Sequence, residues 1–268
     1  MSGAVEQQSP PVDRVERKYG LFSRLRSYFF FDPLICSYTV AFGAASIPFG
    51  FFDKDGSLLH AFARAWARVT MKTLLSPLTV SGLEHIDTSK ANVYAVNHAS
   101  ALDIPALYAY LPFQFRIVHK KELLSYPIVG WHLKRSGQVC VDQQNPTRSV
   151  GQIKSALRTL KHGMPLVIFP EGGRTADGRI QPFLPGAFFL AIKAHADVVP
   201  VALRGMFELL PMDTCHIKPR PLEMRVGKPI STIGLSGHDI GALSKKVQRE
   251  VESLYYDFES FPPGGVEK

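Results

Sequence analysis

Hydrophobic spacing divides the chain into two regimes near residue 78. Beyond it, short apolar runs alternate with longer segments whose apolar positions recur every three or four residues. The runs predict strands at 78–81, 93–97, 115–119, 138–141, 166–169, 198–203 and 222–226. Helices are predicted over 121–134, 149–162 and 186–195. Asn145-Pro146 marks the entry of the second and Gly163 its exit. A last helix, 239–258, carries Ile240, Leu243, Val247, Val251 and Leu254 along one face. Such alternation predicts an α/β fold: a mixed, mainly parallel sheet flanked by helices.

Before residue 78 the pattern is helical and far more apolar. Residues 28–52 form an aromatic-rich tract, and 34–52 nearly reaches the roughly 20 apolar residues of a membrane span. Asp32-Pro33, Gly43, Pro48 and Gly50 predict interruptions in it. Residues 58–75 are amphipathic, with Leu59, Phe62, Ala63, Trp66, Val69, Thr70 and Leu74 at helical spacing and Arg64, Arg68 and Lys72 on another face. An amphipathic helix either packs on a core or lies in a membrane interface. Beside the aromatic tract, the expectation is an N-terminal membrane-associating helical pair dipped into one leaflet. A transmembrane pass is the alternative; with basic residues inside, it would export everything downstream.

Composition narrows the partners. Of 268 residues, 46% are hydrophobic and 20% charged, enough for a substantial core. The basic lead is long and lacks a clear small-residue cleavage site, which argues against a signal peptide. Cys36, Cys140 and Cys215 are scattered, without zinc or disulfide spacing. A net charge of +8 points to polyanionic partners: nucleic acid, an anionic membrane or phosphorylated substrates. No nucleic-acid-binding signature is present, so lipid and phosphate remain.

Candidate chemistry follows the second predicted strand, in Asn97-His98-Ala99-Ser100-Ala101-Leu102-Asp103. On one helix, side chains five apart would diverge by roughly 140°, so His98 and Asp103 can meet only across a bend. Pro105, tolerated in a helix's first turn, allows a helix to open at Asp103 or Ser100. A strand, a loop bearing His98 and a helix opening on Asp103 would assemble a general base. Alternatively, Asp103 is a simple cap. A second cluster, Phe169-Pro170-Glu171-Gly172-Gly173-Arg174-Thr175, also follows a predicted strand. Its glycines suit a turn that approaches a ligand closely, and its arginine suits a phosphate dianion. The bland alternative is an exposed Glu–Arg pair.

Together, in this order and about seventy residues apart, the two clusters resemble the glycerophospholipid acyltransferase superfamily, most closely its 1-acylglycerol-3-phosphate acyltransferases. Lys120-Lys121-Glu122-Leu123 with Gly130-Trp131, Gly137 through Asp142, Phe183 through Ala187 and Val199 through Gly205 resemble further blocks of that family. The similarity covers roughly 78–230. Two positions depart from the pattern: Gly173 replaces a frequent threonine, and Gln143 a frequent basic residue.

The resemblance implies acyl transfer from a thioester, acyl-CoA or acyl-carrier protein, to the hydroxyl of lysophosphatidic acid. Glycerol-3-phosphate or another lysophospholipid is an alternative acceptor. It also implies roles: His98 as base, Asp103 as its orienting carboxylate, Lys120 and Arg174 on the acceptor phosphate, and Glu171 on the acceptor glycerol. Amides of Gly172 and Gly173 become candidate oxyanion donors, Asn97 and Ser100 loop supports, and Asp142 a support for Arg174 or a strand end. No cofactor or metal is called for beyond the thioester co-substrate. Anionic membrane lipids are expected partners, with the catalytic domain facing the cytoplasm. The expected division is a disordered basic lead (1–27), a membrane-associating segment (28–76), a catalytic domain (77–260) and a disordered tail (261–268). A lipid esterase using Ser100, or an inactive membrane-binding module, are the competing readings.

Overall fold

The computed structural model describes residues 20–142 and 146–256. The expected tail and most of the expected lead lie outside the described residues. Among the described residues, seven strands form one sheet in the order β1-β7-β6-β2-β5-β3-β4. They are β1 (Leu78–Ser81), β2 (Val93–Val96), β3 (Arg116–Lys120), β4 (Val139–Val141), β5 (Leu166–Ile168), β6 (Val198–Arg204) and β7 (Leu222–Val226). Only the β6–β7 pair is antiparallel. The mixed, mainly parallel sheet expected from the alternating pattern is therefore what forms. All four residues of central β2 are buried, as a strand covered on both faces must be.

Two apolar cores lie on opposite faces of the sheet. Tyr94 and Val96 face one, with Val167, Ile117 and residues of α3 (Ser57–Thr73) and α4 (Asp103–Tyr110). Val93 and Ala95 face the other, against α6 (Pro146–Lys161), α7 (Gly186–Ala194) and α9 (Ile240–Tyr256). A short α8 (Met206–Leu209) follows β6. The single helix expected over 121–134 is instead a 3-10 turn, Lys121–Ser125, followed by α5 (Pro127–Arg135). Pro127 explains the break, because the residue before a proline is pushed out of the helical region.

At the N-terminus three expectations change. First, the chain is already helical at Leu21, so the disordered lead does not reach residue 27. Second, the apolar tract is not interrupted: α1 (Leu21–Arg26), a π turn at Ser27–Phe31 and α2 (Asp32–Gly50) run as one 30-residue helix. The π turn falls where Pro33 cannot donate its hydrogen bond. Pro48 sits in the last turn. By length and composition this helix could cross a membrane, and only 11% of its most apolar window is buried. Phe29 and Phe52 are 78% and 80% exposed.

Third, α3 pairs with α2, its Trp66 donating to Thr39 at 3.0 Å, and also turns an apolar face onto the globular domain. Its Leu59, Ala67 and Met71, and Leu74 just beyond it, are buried in the protein. Burial of each large side chain contributes about 1.5–3 kcal/mol, which holds α3 on α4 and the sheet. Arg64, on the basic face of this helix, donates to the carbonyls of Leu111 and Phe113 at 2.7 and 2.9 Å.

Candidate active site

β2 delivers its last residues to the carboxyl edge of the sheet, and Asn97 fixes them there. Its Nδ2 donates to the Leu203 carbonyl at 3.0 Å, and its Oδ1 accepts from the Leu203 amide at 2.7 Å, bridging to β6. The chain then bends, and α4 opens on fully buried Asp103. Asp103 Oδ2 accepts three hydrogen bonds: from the amides of Ala99 at 2.8 Å and Ser100 at 2.9 Å, and from His98 Nδ1 at 2.8 Å. Oδ1 is buried and takes no hydrogen bond among the described residues. Asp103 thus ties back to the His98 loop rather than capping α4, whose N-cap residue is Leu102. A carboxylate at a helix start also gains from the dipole.

Since an ionised carboxylate only accepts, Nδ1 of neutral His98 carries the hydrogen and Nε2 keeps its lone pair. The ring stacks on Phe169, centroids 4.0 Å apart, and stays partly exposed. Ser100 Oγ donates to the Leu210 carbonyl at 2.9 Å and accepts from the Leu102 amide at 3.2 Å. It braces the loop rather than facing His98 as a nucleophile.

The second cluster grips the peptide of His98 from the other side. Glu171 Oε1 accepts from the His98 amide at 2.6 Å, and Oε2 accepts from the Gln181 amide at 2.7 Å. Thr175 N–H donates to the His98 carbonyl at 2.9 Å. Both Glu171 oxygens are thus engaged by backbone, a support of the His98 loop that the sequence did not assign. Gly172 has φ 74°, the left-handed conformation a tight turn needs. Its amide donates to the Phe169 carbonyl at 3.0 Å, so it serves the turn rather than an oxyanion. Thr175 and Phe169 lay within the recognised cluster without an assigned role. Gln181 carried no signal, since its contact depends on how a loop ten residues on folds back.

Burial pushes the Glu171 carboxyl up to about 7, against the opposing pull of the two amides. An acid whose folded value exceeds its unfolded value of 4.5 stabilises the fold fully below that value, and the contribution is lost as pH rises to about 7. Glu171→Gln is therefore expected to flatten the fall in unfolding midpoint between pH 5 and 8, measured by thermal scans. Loss of one charge-assisted clamp, about 1.5–3 kcal/mol, is expected to lower kcat at least about tenfold. Parallel stability curves would refute the assignment.

Lys120, at the end of β3, and Arg174 are exposed beside one another's loops. A Cβ on Gly173 would lie 3.7 Å from Lys120 Nζ, an ordinary contact, so the fold does not demand glycine there. The missing side chain widens the space beside that ammonium. Asp142 pairs with Lys121 at 3.2 Å. Between these groups opens a cavity of about 1100 Å³, reached by His98, Phe169, Lys120, Gly173 and Arg174 and otherwise mostly apolar. Among the described residues no group of three or more metal-ligating side chains occurs.

Comparison with known proteins places this geometry. Residues 77–204 match the family model described as Acyltransferase. The 1-acyl-sn-glycerol-3-phosphate acyltransferase LPAT1, chloroplastic, of Arabidopsis thaliana is 32% identical over 216 residues, 79% of this chain and 59% of its own. The 1-acyl-sn-glycerol-3-phosphate acyltransferase alpha of Homo sapiens is 26% identical over 187 residues, 69% of this chain and 66% of its own. The chain thus spans less than two thirds of these relatives' lengths. The crystal structure of the 1-acyl-sn-glycerophosphate (LPA) acyltransferase PlsC from Thermotoga maritima has the same fold, with TM-score 0.75 over 89% of this chain and 98% of that one, at 22% identity. A sheet edge that presents His98, Asp103 and the Phe169–Thr175 turn inside the matched region leads to one conclusion: residues 77–204 form a domain of the acyltransferase family.

Proposed function

We propose that this protein transfers an acyl group from an acyl thioester to the free hydroxyl of lysophosphatidic acid, giving phosphatidic acid. The observation that carries the reading is the His98–Asp103 pair at the mouth of an apolar cavity, with Lys120 and Arg174 on the rim. His98 Nε2 takes the hydroxyl proton as the oxygen forms its bond to the thioester carbonyl. The tetrahedral intermediate then breaks its carbon–sulfur bond, and the departing thiolate receives the proton from His98. Asp103 keeps the tautomer and stabilises the imidazolium. A thioester is already activated, so neither a covalent enzyme intermediate nor a metal is required. Lys120 and Arg174 hold the acceptor phosphate, Arg174 through its planar fork.

The acceptor resides in a membrane and the donor in water, so the site must work at a lipid surface. The exposed aromatics of the 30-residue N-terminal helix and the two residues after it, with Arg24 and Arg26, supply that attachment. The catalytic domain lies on the side where thioesters are supplied, the cytoplasmic side. The deciding assay offers purified protein acyl-CoA with lysophosphatidic acid, glycerol-3-phosphate or other lysophospholipids and identifies products by mass spectrometry. Phosphatidic acid alone is expected; release of fatty acid without a donor would favour an esterase. Replacing Phe29, Phe51 and Phe52 by serine should weaken vesicle binding at least about a hundredfold, given about 1.5–3 kcal/mol per buried aromatic. Undiminished cosedimentation would remove these side chains from the membrane contact.

A further inference from the structure

The apolar stripe of α9 explains how that helix packs, but not what its polar side chains reach. Ser244, Gln248 and Tyr255 fall within roughly 40° of one another around the helix. Ser244 Oγ donates to the Phe183 carbonyl at 3.1 Å, and Gln248 Oε1 accepts from the Phe183 amide at 3.0 Å. Further along, Tyr255 Oη donates to the Gly178 carbonyl at 3.2 Å, and Tyr256 Oη accepts from the Ile180 amide at 3.2 Å. Side chains of one helix thus hold the backbone of a single loop at its tip and at its exit. On another side the loop packs under α8: a Cβ on Gly178 would come within 2.6 Å of the Phe207 ring.

The same loop returns to the catalytic base. Its Gln181 amide donates to Glu171 Oε2 at 2.7 Å, while Glu171 Oε1 accepts from the His98 amide at 2.6 Å. At its start, the Thr175 amide donates to the His98 carbonyl at 2.9 Å, and the Thr175 hydroxyl donates to Asp177 Oδ1 at 2.7 Å. The Leu184 amide closes the loop on the turn by donating to the Pro170 carbonyl at 2.7 Å. Both backbone polar groups of His98 are therefore tied to this one loop. We propose that Tyr255 and Tyr256 are positioning residues for acyl transfer: by holding Gly178 and Ile180 they keep Gln181 against Glu171, and so keep His98 in its working place. They act through the loop, not on substrate. Sequence patterning hides this role, because the two tyrosines lie about seventy-five residues from the loop and belong to no motif of the site.

The assignment rests on the reading of His98 as the base, and the test separates the two. Both tyrosines are replaced by phenylalanine, which removes the hydroxyls and keeps the edge-on contact of the rings, centroids 4.9 Å apart. Steady-state constants are measured in the wild-type and Glu171→Gln backgrounds, and amide exchange is followed by mass spectrometry. A displacement of about 1 Å can cost about a hundredfold in rate. With Ser244 and Gln248 still in place, Tyr255→Phe/Tyr256→Phe is expected to lower kcat about tenfold and to leave KM for acyl-CoA within about twofold. Exchange should quicken in the peptides covering 97–103 and 176–183. A glutamine at 171 has one acceptor oxygen and can serve only one of the two amides, so in that background the same pair should cost less than about threefold. Unchanged kcat, an equal loss in both backgrounds, or exchange at the wild-type rate would overturn the proposal. Wild-type protein that acylates no acceptor would instead sink the reading of the reaction, and exchange alone would then decide whether the tyrosines hold the loop.

Discussion

His98→Ala is expected to lower kcat for acyl transfer by about 10²–10⁴-fold, the usual contribution of a positioned general base. The residual rate should come from the cavity, which still holds both reactants together. Stability should change little. The side chain is partly exposed and donates one hydrogen bond, to an oxygen that keeps two other donors. That bond contributes about 1 kcal/mol. The matched measurements are single-turnover rates and a thermal scan. A variant retaining wild-type kcat would remove His98 from the chemistry.

Asp103→Ala should cost both activity and stability. Removing the carboxylate leaves the amides of Ala99 and Ser100, two buried residues, without their partner. Each orphaned donor costs about 1–3 kcal/mol, and the buried helix start loses a favourable charge. The combined destabilisation is expected at about 3–5 kcal/mol, lowering the unfolding midpoint by roughly 10 °C for a chain of this size. Activity should approach that of His98→Ala, since the ring loses both its tautomer and its position. An unchanged midpoint would mean that the loop is held by its other ties, those of Asn97, Ser100 and Glu171.

The contrast between these two substitutions reflects how the site is built. His98 is presented; Asp103 both holds the loop and orients the ring. Three separate segments clamp the loop between them: β6 through Asn97, the stretch after α8 through Ser100, and the turn after β5 through Glu171 and Thr175. Such redundancy fixes the position of the imidazole that the proposed reaction uses.

Much of this was legible along the chain. Strand and helix periods set the α/β class and placed β1 and β7 at their observed limits, because apolar alternation is a local consequence of pleat and helical pitch. The requirement that His98 and Asp103 meet across a bend followed from helical geometry and Pro105 alone. Three matters could only be decided by tertiary packing. Whether α3 met lipid or protein depended on what waited opposite its apolar face, and α4 with the sheet was there. The oxygens of Glu171 went to backbone amides because the loop through Gln181 folds back over the turn. The cavity arises where strand ends meet helices from both faces. A sequence specifies which side chains are apolar, charged or strained at each position; which of them become neighbours depends on the sum of distant contacts that packing alone selects.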